Sequence, residues 1–267
     1  MFTVLDLVQP DSLEEAFRIL FEKRNNTIIG GCAFLKMGSK RIGTAIDLSK
    51  LGLGYIKEQA DFIVIGAMAS LRDVEINTLL RESFNGLLPK SVQNIIGVQF
   101  RNGVTVGASV HSKYGFSDLI TALLALDTEV ELYKNGRMSL ADFLDKPYEK
   151  DILVRLWIKK NKRLATYQSF RNSASDYSTL NVAVSTLDDR WKIVVGARPK
   201  GAALAESASA TLSMESLTDK VIEEAAQKSA EELSFGTNMR GTADYRRALC
   251  RVLVKRGIME VLQCKSK

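Results

Sequence analysis

The sequence predicts an α+β fold with a domain boundary near residue 160. Two observations support this class: residues 1–50 follow a strand–helix–strand pattern, and an antiparallel pair of strands follows residue 160. With 267 residues, of which 46% are hydrophobic, the chain is long enough for one large domain or two modest ones.

The strand–helix–strand pattern begins with a helix-start signal at residues 11–14. Asp11 can accept a hydrogen bond from a free backbone N–H, and Glu14 can reach back. Strands are expected at residues 27–29, which run into Gly30 and Gly31, and at residues 45–48. Apolar residues recur at helical spacing between the signal and the Asn25–Asn26 pair, where we expect the helix to end: Leu13, Ala16, Phe17 and Leu20.

The middle of the chain predicts alternating elements. A strand at residues 62–65 runs into Gly66, and Ser70 with Asp73 then signals a helix start. We expect a helix at 88–96, a strand at 105–107 that ends in a tight turn, and a helix capped by Ser117 or Asp118. Residues 130–140 predict a hairpin about an Asn-Gly turn.

The C-terminal part predicts two strands, at 182–187 and 191–195, followed by a connection at 201–213. Two helices should close the chain, one capped at Ser216 and one starting near Thr242. We expect Trp157 and Trp191 in the core. The inward face of the last helix is expected to hold Tyr245, Leu249, Val252 and Leu253.

Composition excludes several classes of function. Three cysteines cannot supply the four ligands of an iron–sulfur cluster, and the single histidine excludes a His-rich metal site. No apolar run is long enough to span a membrane and no signal peptide is evident, so we expect a cytoplasmic protein. The net charge of +6 is spread along the chain, which disfavours nucleic-acid binding. The basic last helix is as compatible with partner docking as with plain exposure to solvent.

Two glycine-bearing segments, 27–34 and 105–110, are candidates for binding an anion. Glycine after a strand allows close approach, and successive backbone N–H groups can face a phosphate. Two such turns could hold the phosphates of a dinucleotide, with Asp118 on a ribose hydroxyl or an adenine amine. The alternative is that Gly-Gly forms an ordinary turn. His111 is either a surface loop residue or a ligand contact, and Cys32 either a packed small residue or a reactive thiol.

Several segments together resemble the FAD-binding (medium) subunit family of molybdenum hydroxylases, which includes the flavin subunits of xanthine dehydrogenase and carbon monoxide dehydrogenase. The resemblance extends over essentially the whole chain, and the order of the segments carries it. The matching segments are Ile29-Gly-Gly-Cys32, Ile65-Gly-Ala67, Phe100-Arg-Asn102, Thr105-Val-Gly-Ala-Ser109, Ser117-Asp118, Gly241-Thr-Ala-Asp-Tyr-Arg-Arg247 and Val252-Leu-Val-Lys-Arg256.

The resemblance implies a two-subdomain FAD-binding fold of the vanillyl-alcohol-oxidase (PCMH) type, followed by a C-terminal domain of antiparallel strands and helices. The implied ranges are 1–55 and 56–160 for the FAD-binding subdomains and 161–267 for the C-terminal domain. The implied contacts of the FAD pyrophosphate are Ile28, Ile29, Gly30, Gly31, Cys32, Ala33 and Phe34, with Thr105, Gly107, Ala108 and Ser109 beside them. Asp118 would hold the adenosine part. Gln168, with Arg171 nearby, stands where the family often has a lysine close to the flavin.

The function implied by the resemblance is electron transfer. Electrons would pass from iron–sulfur clusters on a partner subunit, fed by a molybdopterin subunit, through FAD to NAD or another acceptor. The chain alone should not oxidise the organic substrate, and we expect no acid–base residue and no metal ligand in it. Five residues depart from the family pattern: Cys32 replaces a hydroxyl residue, Ala33 a commonly polar one, Ala108 a glycine, Ser109 an asparagine and Gln168 a lysine. The alternative is therefore a structural or assembly subunit that binds FAD poorly.

Overall fold

The computed structural model describes residues 2–265 and confirms the α+β class. The described chain forms two compact units: unit 1 comprises residues 2–74, 97–112 and 128–158, and unit 2 comprises residues 75–96, 113–127 and 159–265. The units interleave along the chain, whereas the domain ranges implied by the resemblance are continuous. Those ranges stay a prediction.

Twelve strands and eleven α-helices make up the described part of the chain. The strands are β1 (Thr3–Val8), β2 (Thr27–Ile29), β3 (Arg41–Asp47), β4 (Ile56–Gln59), β5 (Phe62–Gly66), β6 (Thr128–Leu132), β7 (Gly136–Ser139), β8 (Leu153–Lys159), β9 (Leu164–Arg171), β10 (Ser178–Leu187), β11 (Arg190–Gly196) and β12 (Ala203–Leu204). The helices are α1 (Leu13–Glu22), α2 (Leu71–Ile76), α3 (Thr78–Glu82), α4 (Leu87–Val92), α5 (Val98–Gly103), α6 (Val106–His111), α7 (Asp118–Leu124), α8 (Leu140–Asp145), α9 (Glu206–Met214), α10 (Asp219–Glu232) and α11 (Ala243–Lys265).

The first sheet of unit 1 is parallel and has the strand order β1-β3-β2. Helix α1 begins one residue later than predicted: Ser12 caps it by accepting from the Glu15 N–H, and Glu15 accepts from the Asp11 N–H. Residues of α1 such as Ala16 and Leu20 are buried in the same apolar cluster as Ile46 of β3. Strand β1 was not predicted, because its residues are nearly all exposed and show no buried face.

The second sheet of unit 1 has the strand order β4-β5-β8-β6-β7. Buried and half-buried residues alternate along β6, as expected for a sheet with one face in the core. The predicted hairpin is confirmed, with Gly136 at positive φ beside the turn. The prediction that Trp157 lies in the core is wrong. Its side chain is half-buried, and its ring contacts the Arg137 guanidinium and packs edge to face with Phe62.

Unit 2 is built on an antiparallel sheet of order β12-β11-β10-β9. Alternate residues of β10 face opposite layers. Val182 and Val184 belong to the apolar core formed with α9, α10 and α11, whereas Asn181 and Ser185 bond residues of the α7 segment. Trp191 is buried in this core, as predicted. The sheet of unit 2 therefore has helices on both of its faces.

Three predictions for the C-terminal part are wrong in detail. The segment 201–213, predicted to be a connection, contains helix α9. Its Ser and Thr residues are compatible with a helix because their hydroxyls donate to backbone carbonyls one turn back, as Ser209 and Thr211 do. The cap of α10 is Thr218 instead of Ser216. On α11, Tyr245 and Val252 are exposed. The buried side of α11 is made by Arg246, Cys250, Leu253, Val254, Gly257, Ile258 and Val261. No helix of the described residues is long and apolar enough to cross a membrane.

Candidate functional site

The loop that follows β2 lies directly against the segment between α5 and α6, and both belong to unit 1. Gly31 has φ +78°, and a Cβ at this position would lie 1.9 Å from the carbonyl oxygen of Gly103. A Cβ at Gly30 would lie 2.5 Å from Thr105 Oγ1 and 2.8 Å from Ala108 Cβ. The structure thus brings together the two glycine-bearing segments predicted to bind an anion. A side chain at Gly31 would push the two backbones apart, and one at Gly30 would displace the side chains of Thr105 and Ala108.

The second segment differs from its prediction. Thr105 does not end a strand but caps α6: its side chain accepts from the Ala108 N–H at 3.2 Å. The N–H groups of Val106 and Gly107 donate to the carbonyls of Ala69 and Ala67, each at 2.8 Å. These donors are therefore already used inside unit 1. The predicted contact of Thr105, Gly107, Ala108 and Ser109 with the phosphates stays a prediction that this geometry does not favour. The segment packs against the first loop through Thr105 and Ala108.

The first loop keeps unused donors. Among residues 2–265, the backbone N–H groups of Gly31, Cys32 and Ala33 have no acceptor. Cys32 also has positive φ, +55°, so two successive residues depart from the ordinary backbone region. Gly31 is exposed, and Cys32 and Ala33 are half-buried. Adjacent N–H groups in such a conformation form an anion-binding concavity, so the loop fits one or two phosphate oxygens. Ile28, Ile29 and Phe34, the other predicted contacts in this segment, are half-buried beside it.

The Cys32 thiol is a poor candidate for a reactive group. Partial burial raises its pKa, and Asp47 adds to this, while Lys36 opposes the rise. A raised pKa keeps the sulfur protonated near neutral pH, which favours the packed small residue over the reactive thiol. Lys36 itself lies one turn beyond the loop, where its N–H donates to the Cys32 carbonyl.

Asp118 lies in unit 2 in a buried polar cluster. It is in the first turn of α7, which is capped by Ser117, and only 5% of it is exposed. Its Oδ1 accepts from Tyr167 at 2.5 Å, Ser178 at 2.6 Å and Asn181 at 2.7 Å, and its Oδ2 accepts from Arg171 at 2.7 Å.

A carboxylate offers about four lone-pair sites, two on each oxygen. In Asp118, three donors crowd Oδ1, whereas Oδ2 accepts from Arg171 and has room for one more donor. The side chain therefore acts here as the organiser of β9, β10 and α7 in unit 2. Its predicted contact with adenosine stays a prediction that this geometry does not favour.

The phenol of Tyr167 shares the buried environment of Asp118. Burial raises the pKa of Tyr167 well above its ordinary value, and the Asp118 carboxylate adds to this by repelling a phenolate. Arg171 partly opposes the effect. Tyr167 therefore stays protonated and donates to Asp118 throughout the physiological pH range. Tyr167, Ser178 and Asn181 were not predicted from the sequence; the alternation of polar residues along the two strands was the available signal.

Gln168 does not share a site with Asp118. The two neighbouring residues of β9 point to opposite faces of the sheet: Tyr167 bonds Asp118, whereas Gln168 donates to Glu260 of α11 at 2.6 Å. Glu260 also pairs with Lys90 at 3.2 Å. Gln168 is thus tied to α11, and its predicted contact with FAD stays a prediction. Arg171, which was expected near Gln168, lies on the face of Asp118.

His111 is at the end of α6 and is half-buried. Its ring lies 5.5 Å from that of Tyr148, edge to face, and 6.3 Å from that of Phe143. These contacts within unit 1 explain its position by packing. No three His, Cys, Asp or Glu side chains within residues 2–265 come together in a way that could hold a metal ion.

Comparison with known proteins identifies the family of this chain. A family model described as the FAD binding domain in molybdopterin dehydrogenase matches residues 2–158. This chain belongs to that family. A second model, the CO dehydrogenase flavoprotein C-terminal domain, matches residues 165–261. The resemblance drawn from the sequence motifs is confirmed, and FAD is the cofactor of the family.

Alignments with known relatives cover nearly the whole length of this molybdopterin dehydrogenase flavoprotein. The nicotine 6-hydroxylase medium subunit of Paenarthrobacter nicotinovorans is 28% identical over 269 residues, which cover 94% of this chain and 95% of the relative. The glyceraldehyde dehydrogenase medium chain of Sulfolobus acidocaldarius is 24% identical, with 95% and 97% covered. Carbon monoxide dehydrogenase from Hydrogenophaga pseudoflava matches with a TM-score of 0.89 and 21% identity over 98% of each chain, which shows the same fold.

The residues of the first loop fit the pyrophosphate of FAD. The fit rests on the unused N–H groups of Gly31, Cys32 and Ala33 and on the absence of a side chain at Gly30 and Gly31. Backbone donors are sufficient for this, because phosphate oxygens accept strongly from N–H groups. The hydroxyl residue that Cys32 replaces is therefore not essential for an anion to bind.

Proposed function

We propose that this chain is the FAD-carrying electron-transfer subunit of a cytoplasmic molybdopterin dehydrogenase complex. Its partners are an iron–sulfur subunit and a molybdopterin subunit, and electrons arriving from the clusters leave the flavin for NAD or another acceptor. The observation that carries the proposal is the loop after β2, with three unused N–H donors beside Gly103 in a chain of the FAD-binding family.

The chain's own residues bind and position the cofactor. Gly31, Cys32 and Ala33 donate to the pyrophosphate, and the contact of Gly30 with Thr105 and Ala108 holds the loop in place. When bound, FAD supplies a carrier that takes electrons from one-electron clusters and passes them on as one or two electrons. The protein adds no acid–base group in this proposal.

The partners follow from chemistry that this chain lacks. It has three cysteines, all free and separated, so the clusters must come from another subunit. The two relatives from Paenarthrobacter and Sulfolobus are called a medium subunit and a medium chain, which supports a place within a larger complex. Alone, the chain should therefore not oxidise the organic substrate.

The alternative proposal is a structural subunit that has lost FAD. Its support is Ala108, whose methyl group lies against Gly30, and Cys32, whose thiol is a weaker hydrogen-bond donor than a hydroxyl. The retained donors of the loop favour the first proposal. A protein that purifies without flavin and does not take it up would favour the second.

The test is a reduction experiment without oxygen. The purified chain, loaded with FAD, is mixed with the iron–sulfur subunit of its complex, which has been reduced with dithionite and then freed of excess dithionite, and the visible absorption of oxidised flavin is followed. We expect the absorption to bleach as the clusters are reoxidised, and we expect no bleaching when the iron–sulfur subunit is added in oxidised form. Clusters that stay reduced beside an oxidised flavin would contradict electron transfer through this chain.

A further inference from the structure

The solvent-facing side of α11 carries an apolar stripe. Tyr245, Val252 and Met259 are spaced at i, i+7 and i+14 and are 43%, 45% and 46% exposed. Ala248 is exposed on the same line. With 3.6 residues per turn, this spacing places the side chains in one row, on the side away from Cys250 and the other core residues of the helix.

Charged residues border this stripe instead of covering it. The exposed cations beside the stripe are Arg251, Lys255 and Arg256. An ordinary surface helix has its charges at the centre of the side facing water. Here the centre is apolar and the border is charged, which is the arrangement of a protein interface with an apolar core and a polar rim.

Carboxylates of the same unit neutralise only part of this border. Glu223 of α10 lies 2.6 Å from Lys255 and 4.0 Å from Arg251. Asp244 pairs at 2.7 Å with Arg247, which lies on the other side of the helix from Tyr245. Three cations therefore face Glu223, because Asp244 is paired with Arg247, so the border keeps a positive excess.

We propose that the apolar stripe of α11 docks a partner subunit whose surface has an apolar ridge bordered by carboxylates. This rests on the proposed function, in which the chain works inside a complex. Charge decides the occupant. A second copy of the chain would bring two positive borders together, which disfavours self-association. A lipid surface is also disfavoured, because the stripe has only one aromatic ring and the opposite side of α11 is fixed in the core of unit 2.

The test uses the assembled complex. The photo-crosslinking residue p-benzoylphenylalanine replaces Val252 in the chain co-expressed with the iron–sulfur and molybdopterin subunits of its complex. Met214, at the end of α9, is 85% exposed and lies outside the stripe, so the same replacement there is the matched control. We expect a crosslink to one of the two subunits from position 252 and at least tenfold less from position 214. Crosslinks to a second copy, or equal yields from both positions, would overturn the proposal.

A pair of point variants gives an independent measure. Met259→Asp places a charge in the stripe, and Met214→Asp is the control with the same chemistry. We expect Met259→Asp to lower the amount of co-purified subunits at least tenfold and Met214→Asp to leave it unchanged. The FAD content of each isolated variant is measured as well. Loss of FAD binding in the wild type would count against the proposed function, whereas intact FAD with unchanged co-purification of Met259→Asp would overturn the docking surface alone.

Discussion

Replacing Gly31 by alanine should disrupt FAD binding without unfolding the protein. The new Cβ would lie 1.9 Å from the carbonyl oxygen of Gly103, and ordinary contact begins at 3.4 Å, so the two backbones must separate by about 1.5 Å. Such a shift is large compared with the range of donor–acceptor distances in a hydrogen bond, so the N–H groups of the loop would no longer point at the phosphate oxygens. Loss of one or two hydrogen bonds to a charged phosphate costs roughly 1.5–3 kcal/mol each. The dissociation constant for FAD should therefore rise at least about tenfold.

Gly52 supplies a matched control for this variant. It also has positive φ, +64°, but a Cβ there would meet nothing within 4 Å. Both Gly31→Ala and Gly52→Ala should lose roughly 1–2 kcal/mol of stability from the left-handed backbone, and Gly31→Ala should lose more because its Cβ also meets the Gly103 backbone. FAD binding is therefore measured at a temperature at which both variants are folded. Calorimetric titration with FAD separates them, since only Gly31→Ala should bind more weakly. Equal FAD affinity in the two variants would refute the role of this loop.

Three further predictions concern the loop and the polar cluster. Cys32→Ser combined with Ala108→Gly should bind FAD about five- to a hundredfold more tightly in calorimetric titration, because it restores a hydroxyl without a β-branched residue at positive φ and gives the loop room; unchanged affinity would show that these departures are compensated. Asp118→Ala should lower the free energy of unfolding in urea by roughly 3–5 kcal/mol, because it leaves the Arg171 guanidinium buried without its carboxylate; a small loss in stability with a large loss of FAD would instead support the predicted adenosine contact. The pKa of Tyr167 is raised in the folded state, by burial first, so its stabilising contribution is present below the ordinary pKa of a tyrosine, about 10, and is lost as the pH rises towards the raised value. Stability measured against pH should therefore fall less steeply above pH ~10 in Tyr167→Phe than in the wild type, and parallel curves would contradict this.

The sequence was most informative where local chemistry decides the structure. The strand at 27–29, the glycines after it and the Ser117 cap could all be predicted, because turns and caps depend on nearby residues. Strand β1 could not, since it is held by pairing with β3 and has little buried surface of its own. At Thr105 the local pattern was misleading: its β-branched neighbours favour the predicted strand, but its side chain caps a helix.

In the candidate site, too, local features could be predicted and features that depend on tertiary contacts could not. The pairing of the loop after β2 with the segment at 103–108 was anticipated from motifs, yet which of the two segments keeps unused N–H groups depends on tertiary hydrogen bonds to Ala67 and Ala69. Asp118 was selected for a ligand, but its four partners come from residues about fifty to sixty positions away, which no local pattern reveals. Gln168 was assigned by matching positions, whereas its direction depends on the register of β9.

The amount of FAD bound by the purified chain tests the central conclusion most directly. The protein is purified with FAD in excess, freed of unbound cofactor and denatured, and the released flavin is measured against the protein concentration. A cofactor held by the N–H groups of Gly31, Cys32 and Ala33 predicts a yellow protein that releases close to one FAD per chain, with Gly31→Ala releasing far less than Gly52→Ala. A colourless protein that takes up no FAD even in large excess would contradict FAD binding at this loop and leave the structural subunit as the function of the chain.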